Sequence, residues 1–167
     1  TNFFGMVRMS LAVVPHMRRQ GSGRIINIGS VLGFMAMPYM ALYAATKHAI
    51  EGYSKSLDHE LRNMGIRVSV IEPAFMKTAI DANAREADAK LDAYRDVRIA
   101  MDKRLKEMLD VAEDPEVVAD TVLKVARAAS PKARYTSGTA AARLRLMHTL
   151  LPASLVDAGI RKQLRIA

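Results

Sequence analysis

Two short runs of mainly β-branched and apolar residues constrain the fold of this chain more than any other feature. They are RIINIGS at 24–30 and IRVSVIEP at 66–73, and a long helical pattern at 39–64 lies between them. Neither run alternates regularly between apolar and polar residues, which is typical of strands buried on both faces of a parallel sheet. Strand, helix and strand in this order predict a doubly wound α/β fold, because parallel neighbours need a helical crossover.

Further elements extend this pattern at both ends of the chain. Apolar residues recur at spacings of three and four within 2–19, which predicts a helix before the first strand. The tripeptide DPE at 114–116 is a typical helix start, and PKARYTSG at 131–138 is compatible with a short third strand. Residues 140–166 predict one or two basic amphipathic helices interrupted at Pro152. We therefore predict the second half of a Rossmann-type parallel sheet, with three strands and flanking helices.

The chain length of 167 residues is enough for a sizeable core, and we predict that residues 1–167 are the C-terminal part of one Rossmann-type domain. The stretch 76–110 is highly charged and has few apolar positions that would face a core, so we expect a mobile lid there. Residues 139–167 are expected to form a C-terminal helical extension. The chain opens on TNFFGMVRMSLAVV, which looks like the middle of a helix, so we expect that a further segment precedes Thr1.

Composition excludes several classes of site. The chain contains no Cys, which excludes disulfides, thiolate metal sites and Cys nucleophiles, and which fits a reducing, cytoplasmic location. No apolar run approaches roughly 18 residues, so no membrane-spanning helix is expected. The His residues lack metal-ligand spacing, and we predict no metal site. These residues are His16, His48, His59 and His148.

The formal net charge of +8 is divided between the two ends of the chain. Nucleic-acid-binding proteins usually cluster Lys and Arg with aromatic residues on one face. Aromatic residues make up only 5% of this chain, and most of them do not lie among the basic residues. We therefore predict no nucleic-acid partner, and at most a weak contact between the C-terminus and anionic lipid.

Three residues that can carry chemistry lie near the predicted carboxyl end of the first strand, where α/β sheets bind ligands. Ser30 follows that strand, and Tyr43 and Lys47 lie four residues apart on one face of the next helix. A close ammonium lowers the pKa of a phenol by about 1–3 units, which would let Tyr43 exchange a proton near neutral pH. The simpler interpretation is a surface Tyr beside a solvated Lys, because Tyr-x-x-x-Lys occurs by chance in many helices.

Four linked motifs of this chain resemble those in the C-terminal part of the short-chain dehydrogenase/reductase family. In that family the catalytic Ser precedes the catalytic Tyr by 13 positions, as Ser30 precedes Tyr43. A fifth segment, DPEVVADTVL at 114–123, resembles the family's late helix, and the resemblance extends over residues 1–138. The four motifs are TNFFG at 1–5, NIGS at 27–30, YAATK at 43–47 and EPAFMKT at 72–78.

This resemblance implies hydride transfer between NAD or NADP and an alcohol or ketone. It implies that Tyr43 is the general acid in reduction and the base in oxidation, while Ser30 orients the substrate oxygen. Lys47 would lower the pKa of Tyr43 and bind the nicotinamide ribose, and Asn2 would hold a water linked to Lys47. The implied cofactor-binding residues are Tyr43, Lys47, Pro73, Ala74 and Thr78.

The chain departs from the family pattern at two positions. Gly29 stands where the family has the first Ser of a pair, and Ala74 stands where it has the Gly after Pro. The family's Gly-rich phosphate-binding turn lies upstream of the position matched by Asn2 and is not among these residues. We therefore expect these 167 residues alone to bind a dinucleotide only weakly.

The sequence also carries expectations about the substrate and the assembly. Four Met residues flank the catalytic positions and suit the lining of an apolar substrate pocket, with ordinary core packing as an equal alternative. The resemblance further implies a homodimer or homotetramer through the helices at 2–19 and 39–64. A stripe of small residues in the second helix permits close packing, either on another subunit or on the sheet. These residues are Met35, Met37, Met40 and Met76 for the pocket, and Ala45, Ala49 and Gly52 for the stripe.

Two other classes of function remain as alternatives at this point. A non-catalytic scaffold or binding protein with the same fold has no need of Ser30, Tyr43 and Lys47 together. A charge-driven binder of membranes or nucleic acid predicts binding that weakens strongly with salt.

Overall fold

Helices and strands alternate through the residues that the computed structural model describes, which are 2–79 and 88–164. The strands are β1 (Gly23–Ile28), β2 (Ile66–Pro73) and β3 (Arg134–Ser137). The helices are α1 (Phe4–Gln20), α2 (Ala41–Leu61), α3 (Arg95–Asp110), α4 (Glu116–Arg127), α5 (Thr139–Leu150) and α6 (Ala153–Leu164). A short 3-10 turn, Val31–Gly33, follows β1.

The three strands form one parallel sheet with β2 in the middle. β1 pairs with β2 from Gly23 opposite Ile66, and β3 pairs with β2 from Arg134 opposite Val70. All three strands therefore end at one edge of the sheet, which we call the carboxyl edge. This arrangement confirms the predicted α/β fold with three parallel strands and flanking helices.

The central position of β2 follows from its sequence. Its apolar residues are almost completely buried, with relative exposures of 0–1%, so the strand is covered on both faces, as the unalternated run predicts. These residues are Ile66, Val68, Val70 and Ile71. β1 is less protected within the described chain, and its last residue, Ile28, is 44% exposed.

α1 and α2 supply the apolar cover for the amino-terminal half of the sheet. Ile25 of β1, Leu61 of α2 and two residues of β2 form a buried cluster, and partly buried side chains of both helices pack against it. The partly buried members are Val13, Val14, Met17 and Leu57. This packing fixes the axis of α2, which carries two of the predicted catalytic residues.

A buried carboxylate joins α2 to the start of β2. Asp58 is 1% exposed and accepts hydrogen bonds from the Arg67 Nε and the Val68 amide, both at 2.9 Å, and from Arg62. Burial alone raises the pKa of this carboxyl, but the hydrogen bonds from Arg67, Val68 and Arg62 outweigh it and hold the pKa at about 2. The ion pair therefore fixes the rotation of α2 against the sheet.

Two further contacts place β1 and the turn before β2 relative to α2 and to the turn before β1. The Asn27 side chain in β1 donates to the Ser54 hydroxyl in α2 at 2.9 Å. Gly65 has φ 74° in the turn into β2, and a Cβ there would lie 2.1 Å from the Gly21 carbonyl oxygen, so only glycine fits. The first contact holds the end of β1 close to the middle of α2, and the second packs the turn before β2 against the turn before β1.

The chain divides into two compact units. The first comprises Thr1–Ala74 and Glu116–Leu150 and contains the sheet with α1, α2, α4 and α5. The second comprises Phe75–Pro115 and Leu151–Ala167 and contains α3 and α6. That residues 1–167 are the C-terminal part of one domain, with an extension at 139–167, stays a prediction.

Within the second unit, the Lys77 amide donates to the Glu113 carbonyl at 3.1 Å and brings the two ends of the segment between them together. Most of the predicted lid at 76–110 lies in this unit, and residues 80–87 of that stretch fall outside the described residues. The movement of a lid stays a prediction. Within the described ranges, no helix combines the length and the apolarity that crossing a bilayer requires.

Candidate active site

Ser30 lies at the carboxyl edge of the sheet, two residues beyond the end of β1. Its side chain is buried, and its Oγ accepts a hydrogen bond from the Leu32 amide at 3.1 Å, which starts the 3-10 turn. Gly29 before it has no room for a side chain, because a Cβ there would lie 2.7 Å from the Val70 Cγ1. The close packing of β1 on β2 therefore explains why this chain has glycine at position 29.

Tyr43 lies in the first turn of α2 and is half-buried. Burial raises the pKa of its phenol above the ordinary value of 10.0, and a hydrogen bond with the Ser30 side chain partly offsets this rise. The predicted lowering of this pKa is therefore wrong, because burial outweighs the lowering effect. At neutral pH the Tyr43 hydroxyl carries its proton.

Lys47 contacts both the Tyr43 ring and the end of β1. Its Nζ lies 5.5 Å from the centroid of the Tyr43 ring, over the ring face, and donates to the Ile28 carbonyl at 3.2 Å. Burial lowers the pKa of Lys47 itself. The simpler alternative, a surface Tyr beside a solvated Lys, does not hold, because both side chains are partly buried and contact Ser30 or β1.

The structure thus brings Ser30, Tyr43 and Lys47 together. Asn2 is exposed in the turn before α1. Pro73 and Ala74 are partly buried at the carboxyl end of β2. Thr78 is exposed and belongs to the second unit.

The remaining candidates have local roles. His48 hydrogen bonds through Nδ1 to the Ala44 carbonyl one turn earlier, at 2.9 Å. Met37 is buried in the first unit and Met76 in the second, and a pocket lined by Met residues stays a prediction. Over residues 2–79 and 88–164, no group of three or more His, Asp or Glu residues is arranged to hold a metal ion.

Sequence reasoning missed a cluster of charged residues beside Ser30. Glu72 is 1% exposed at the end of β2 and forms an ion pair with Arg145 of α5. Glu51 of α2 adjoins it, and burial and the neighbouring Glu72 raise the pKa of Glu51 to about 7. Two sequence signals were available: Glu72 is the one acidic residue in a largely apolar strand, and Glu51 lies four residues after Lys47 on the same helix face.

Known proteins resemble this chain in both sequence and structure. The chain is 36% identical over 139 residues to an uncharacterized oxidoreductase of Schizosaccharomyces pombe, which covers 83% of this chain and 58% of that protein. It is 41% identical over 98 residues to 3-ketodihydrosphingosine reductase of Bacteroides thetaiotaomicron, covering 58% of this chain and 36% of the reductase. A short chain dehydrogenase/reductase of Burkholderia phymatum, solved in complex with NAD, superposes with a TM-score of 0.70 at 26% identity, covering 89% of this chain and 55% of that one.

The share of each protein that these matches cover decides what they show about this chain. The chain spans less than two thirds of the length of the curated relatives it resembles. Residues 1–89 match the sequence model of the family described as short chain dehydrogenase, and this region includes Ser30, Tyr43 and Lys47. Since the match extends over more than half of the 167 residues, the chain belongs to the short chain dehydrogenase family.

Proposed function

We propose that the complete protein is an NAD(P)-dependent oxidoreductase that transfers hydride between a nicotinamide cofactor and the oxygen-bearing carbon of an alcohol or ketone. The observation that supports this best is the meeting of Ser30, Tyr43 and Lys47 at the carboxyl edge of a parallel sheet. Ligands of open α/β sheets bind at this edge. The relatives named as oxidoreductases support the same class of reaction.

The donor set fits a nicotinamide nucleotide. An ammonium has three N–H donors, and within the described contacts the Ile28 carbonyl takes one of those of Lys47. Lys47 therefore has donors to offer the hydroxyls of the nicotinamide ribose, and Pro73 and Ala74 lie at the end of the neighbouring strand. The NAD complex of the Burkholderia structure supports this cofactor class, and the choice between NAD and NADP stays open. When bound, the cofactor supplies or accepts the hydride.

The protein's own residues handle the proton and the orientation of the substrate. In reduction, Tyr43 gives its proton to the carbonyl oxygen, for which its raised pKa keeps the phenol protonated at neutral pH. Ser30 holds the same oxygen by a hydrogen bond. In oxidation this one proton transfer runs in reverse: Tyr43, as its phenolate, accepts the proton of the alcohol, while the hydride leaves the same carbon for the cofactor. Asn2 and Thr78 keep the roles that the family resemblance implies, as parts of this proposal.

We propose an apolar alcohol or ketone as the substrate. Met35, Met37 and Met40 follow Ser30 in the chain and supply flexible apolar surface beside the site. The Bacteroides relative, which is named a 3-ketodihydrosphingosine reductase, supports this class. The charged segment 76–110 is proposed as the lid.

A homodimer or homotetramer through α1 and α2 completes the proposal. Both helices expose large apolar side chains: Phe4 is 67% exposed, Leu11 66% and Leu42 86%. Burying such residues against another subunit is favourable. Light scattering on the complete protein tests this part, and a monomer at micromolar concentration contradicts it.

Turnover by the complete protein tests the proposed reaction. We expect a fall in NADH or NADPH absorbance with at least one member of a panel of aliphatic, aromatic and polycyclic ketones. A Ser30→Ala variant is expected to lose activity, because the substrate oxygen loses a hydrogen bond. The proposal is contradicted, and the scaffold favoured, if no ketone causes oxidation of NADH or NADPH and no alcohol causes reduction of NAD or NADP.

A further inference from the structure

Three charged residues from three different elements surround the segment that carries Ser30. We call Glu51 of α2, Glu72 of β2 and Arg145 of α5 the carboxyl-edge cluster. The Arg145 Nε donates to the Glu72 Oε2 at 3.3 Å, and its terminal nitrogen pairs with Oε1. Glu72 is 1% exposed, so this pair is held away from water.

Arg145 also holds the end of the Ser30 segment. Its guanidinium carbon lies 3.6 Å from the centroid of the Phe34 ring, which closes the 3-10 turn after Ser30. The ring of His148, one turn further along α5, meets the same ring edge-on at 5.2 Å between centroids. A guanidinium stacked on an aromatic face is a favourable contact, so α5 holds Phe34 in place.

Glu51 holds the same segment from the other side. A Cβ added at Gly33 would lie 2.9 Å from the Glu51 Cγ, and a Cβ at Gly29 would lie 3.3 Å from the Glu51 Oε1. The Glu51 side chain therefore fills the space beside both glycines that flank Ser30. No side chain at either glycine is compatible with this packing.

We propose that the carboxyl-edge cluster positions Ser30, because it holds the segment 29–34 at Gly29, Gly33 and Phe34 together. Glu51, Glu72 and Arg145 are thus positioning residues and have no contact with the substrate in this role. The inference rests on the proposed function only where it concerns catalysis, since the bracing of the segment is a property of the fold.

The charges of the cluster change with pH, because Glu51 titrates near neutral pH. Burial first, and then the charge of Glu72 and a hydrogen bond with it, raise the pKa of Glu51 to about 7, against the lowering effects of Arg134 of β3 and Arg145. Below that pH, Glu51 is a neutral acid beside the Glu72 carboxylate. Above it, two carboxylates adjoin each other behind Gly29 and Gly33, and their repulsion loosens the packing of Glu51. The Ser30 segment is therefore held more tightly at pH 6 than at pH 8.

Hydrogen exchange of the complete protein tests this proposal without any substrate. The readout is the exchange of the Leu32 and Gly33 amides, which donate to the Ser30 side chain and the Ser30 carbonyl. After correction for intrinsic rates, we expect exchange in wild type to be about threefold or more faster at pH 8 than at pH 6. In Glu51→Gln, which keeps the size and removes the titration, this difference should disappear.

Arg145→Ala provides a second variant that does not depend on Glu51. It should raise exchange of the same two amides by about tenfold at both pH values, since Phe34 loses its cover. Asp58→Asn is the matched control. It alters a buried carboxylate of α2, the helix that also carries Glu51, but leaves the carboxyl-edge cluster intact. Its exchange in the segment should rise no more than in the rest of the sheet.

Two results overturn the proposal. One is a pH dependence in Glu51→Gln equal to that of wild type. The other is an Arg145→Ala protein that is folded and has unchanged exchange at Leu32 and Gly33. If exchange behaves as expected and no ketone is reduced by wild type, the bracing of the segment stands and the proposed function fails.

Discussion

α2 meets β2 at two places. Each place holds an acidic residue of α2, buried at one and partly buried at the other, and the two pKa values are shifted in opposite directions. At the start of β2, Asp58 has a pKa of about 2. At the carboxyl edge, Glu51 has a pKa of about 7 beside Glu72. The two positions lie on one helix and face one strand, so burial alone does not explain the difference.

The number of cations for each carboxylate decides the direction in which the pKa is shifted. Asp58 faces two guanidinium groups, of Arg62 and Arg67, and a backbone amide. Glu51 instead adjoins a second carboxylate, Glu72, which forms the ion pair with Arg145. The first site keeps its charge and stabilises the fold, whereas the second holds a proton next to the segment with Ser30. Stability and proton handling are thus separated along α2.

Removing the Asp58 carboxylate should have the largest effect on stability. Asp58→Ala leaves the Val68 amide buried without its acceptor and two guanidinium groups without their partner, so we expect a loss of about 3 kcal/mol in the free energy of unfolding. Urea denaturation measures this change. Asp92→Ala is the control, because its exposed pair with Arg95 should contribute less than about 1 kcal/mol. Equal effects of the two substitutions would contradict the role of Asp58.

A methyl group at Gly33, which packs against Glu51 of α2, should have an intermediate effect on stability. Gly33→Ala places a Cβ 2.9 Å from the Glu51 Cγ and 3.1 Å from the Lys47 carbonyl oxygen, so we expect a destabilisation of about 1–3 kcal/mol. Gly52→Ala is the matched control, since nothing lies within 4 Å of its added Cβ. That change in a helix interior should stabilise by up to about 1 kcal/mol. A Gly33→Ala protein as stable as Gly52→Ala would show that Glu51 does not fill this space.

The pH dependence of stability should differ in sign between the two sites. We expect this effect to be smaller than those of Asp58→Ala and Gly33→Ala. The pKa of Asp58 is below its ordinary 3.8, so its contribution is present above that pH and is lost as the pH falls toward 2. The pKa of Glu51 is above its ordinary 4.5, so its contribution is present below pH 4.5 and is lost as the pH rises to 7.

Thermal unfolding of wild type, Asp58→Asn and Glu51→Gln across this pH range measures both contributions. Glu51→Gln should flatten the fall of Tm between pH 4.5 and 7 by a few degrees, roughly 3 °C. Asp58→Asn should flatten only the acid side. If Glu51→Gln follows the wild-type curve from pH 4.5 to 7, the raised pKa of Glu51 is wrong.

The elements of the fold were accessible from the sequence because their signals are local. The β-branched runs at 24–30 and 66–73 correspond to β1 and β2, and the helix predicted at 39–64 corresponds to α2 followed by a 3-10 turn. The spacing of Ser30, Tyr43 and Lys47 was also local enough to predict that they meet. Strand endings and helix periodicity decide such features within a few residues.

The electrostatics of the site depend on contacts that the sequence does not display. Arg145 reaches Glu72 across 73 positions of the chain, so no local pattern links them. The direction of the pKa shift at Tyr43 depends on how deeply the side chain is buried and on its hydrogen bond with Ser30. Both become known only when β1 and α2 are placed side by side.

Replacing the Tyr43 hydroxyl tests the central claim most directly. In the complete protein with a ketone that it reduces, Tyr43→Phe should lower kcat by about 10²-fold or more, the usual contribution of a general acid. Tyr53→Phe, on the same helix and with its ring packed against Phe3, should leave kcat unchanged. A Tyr43→Phe protein that turns over as fast as Tyr53→Phe would contradict the assignment of the proton-handling site to Ser30, Tyr43 and Lys47.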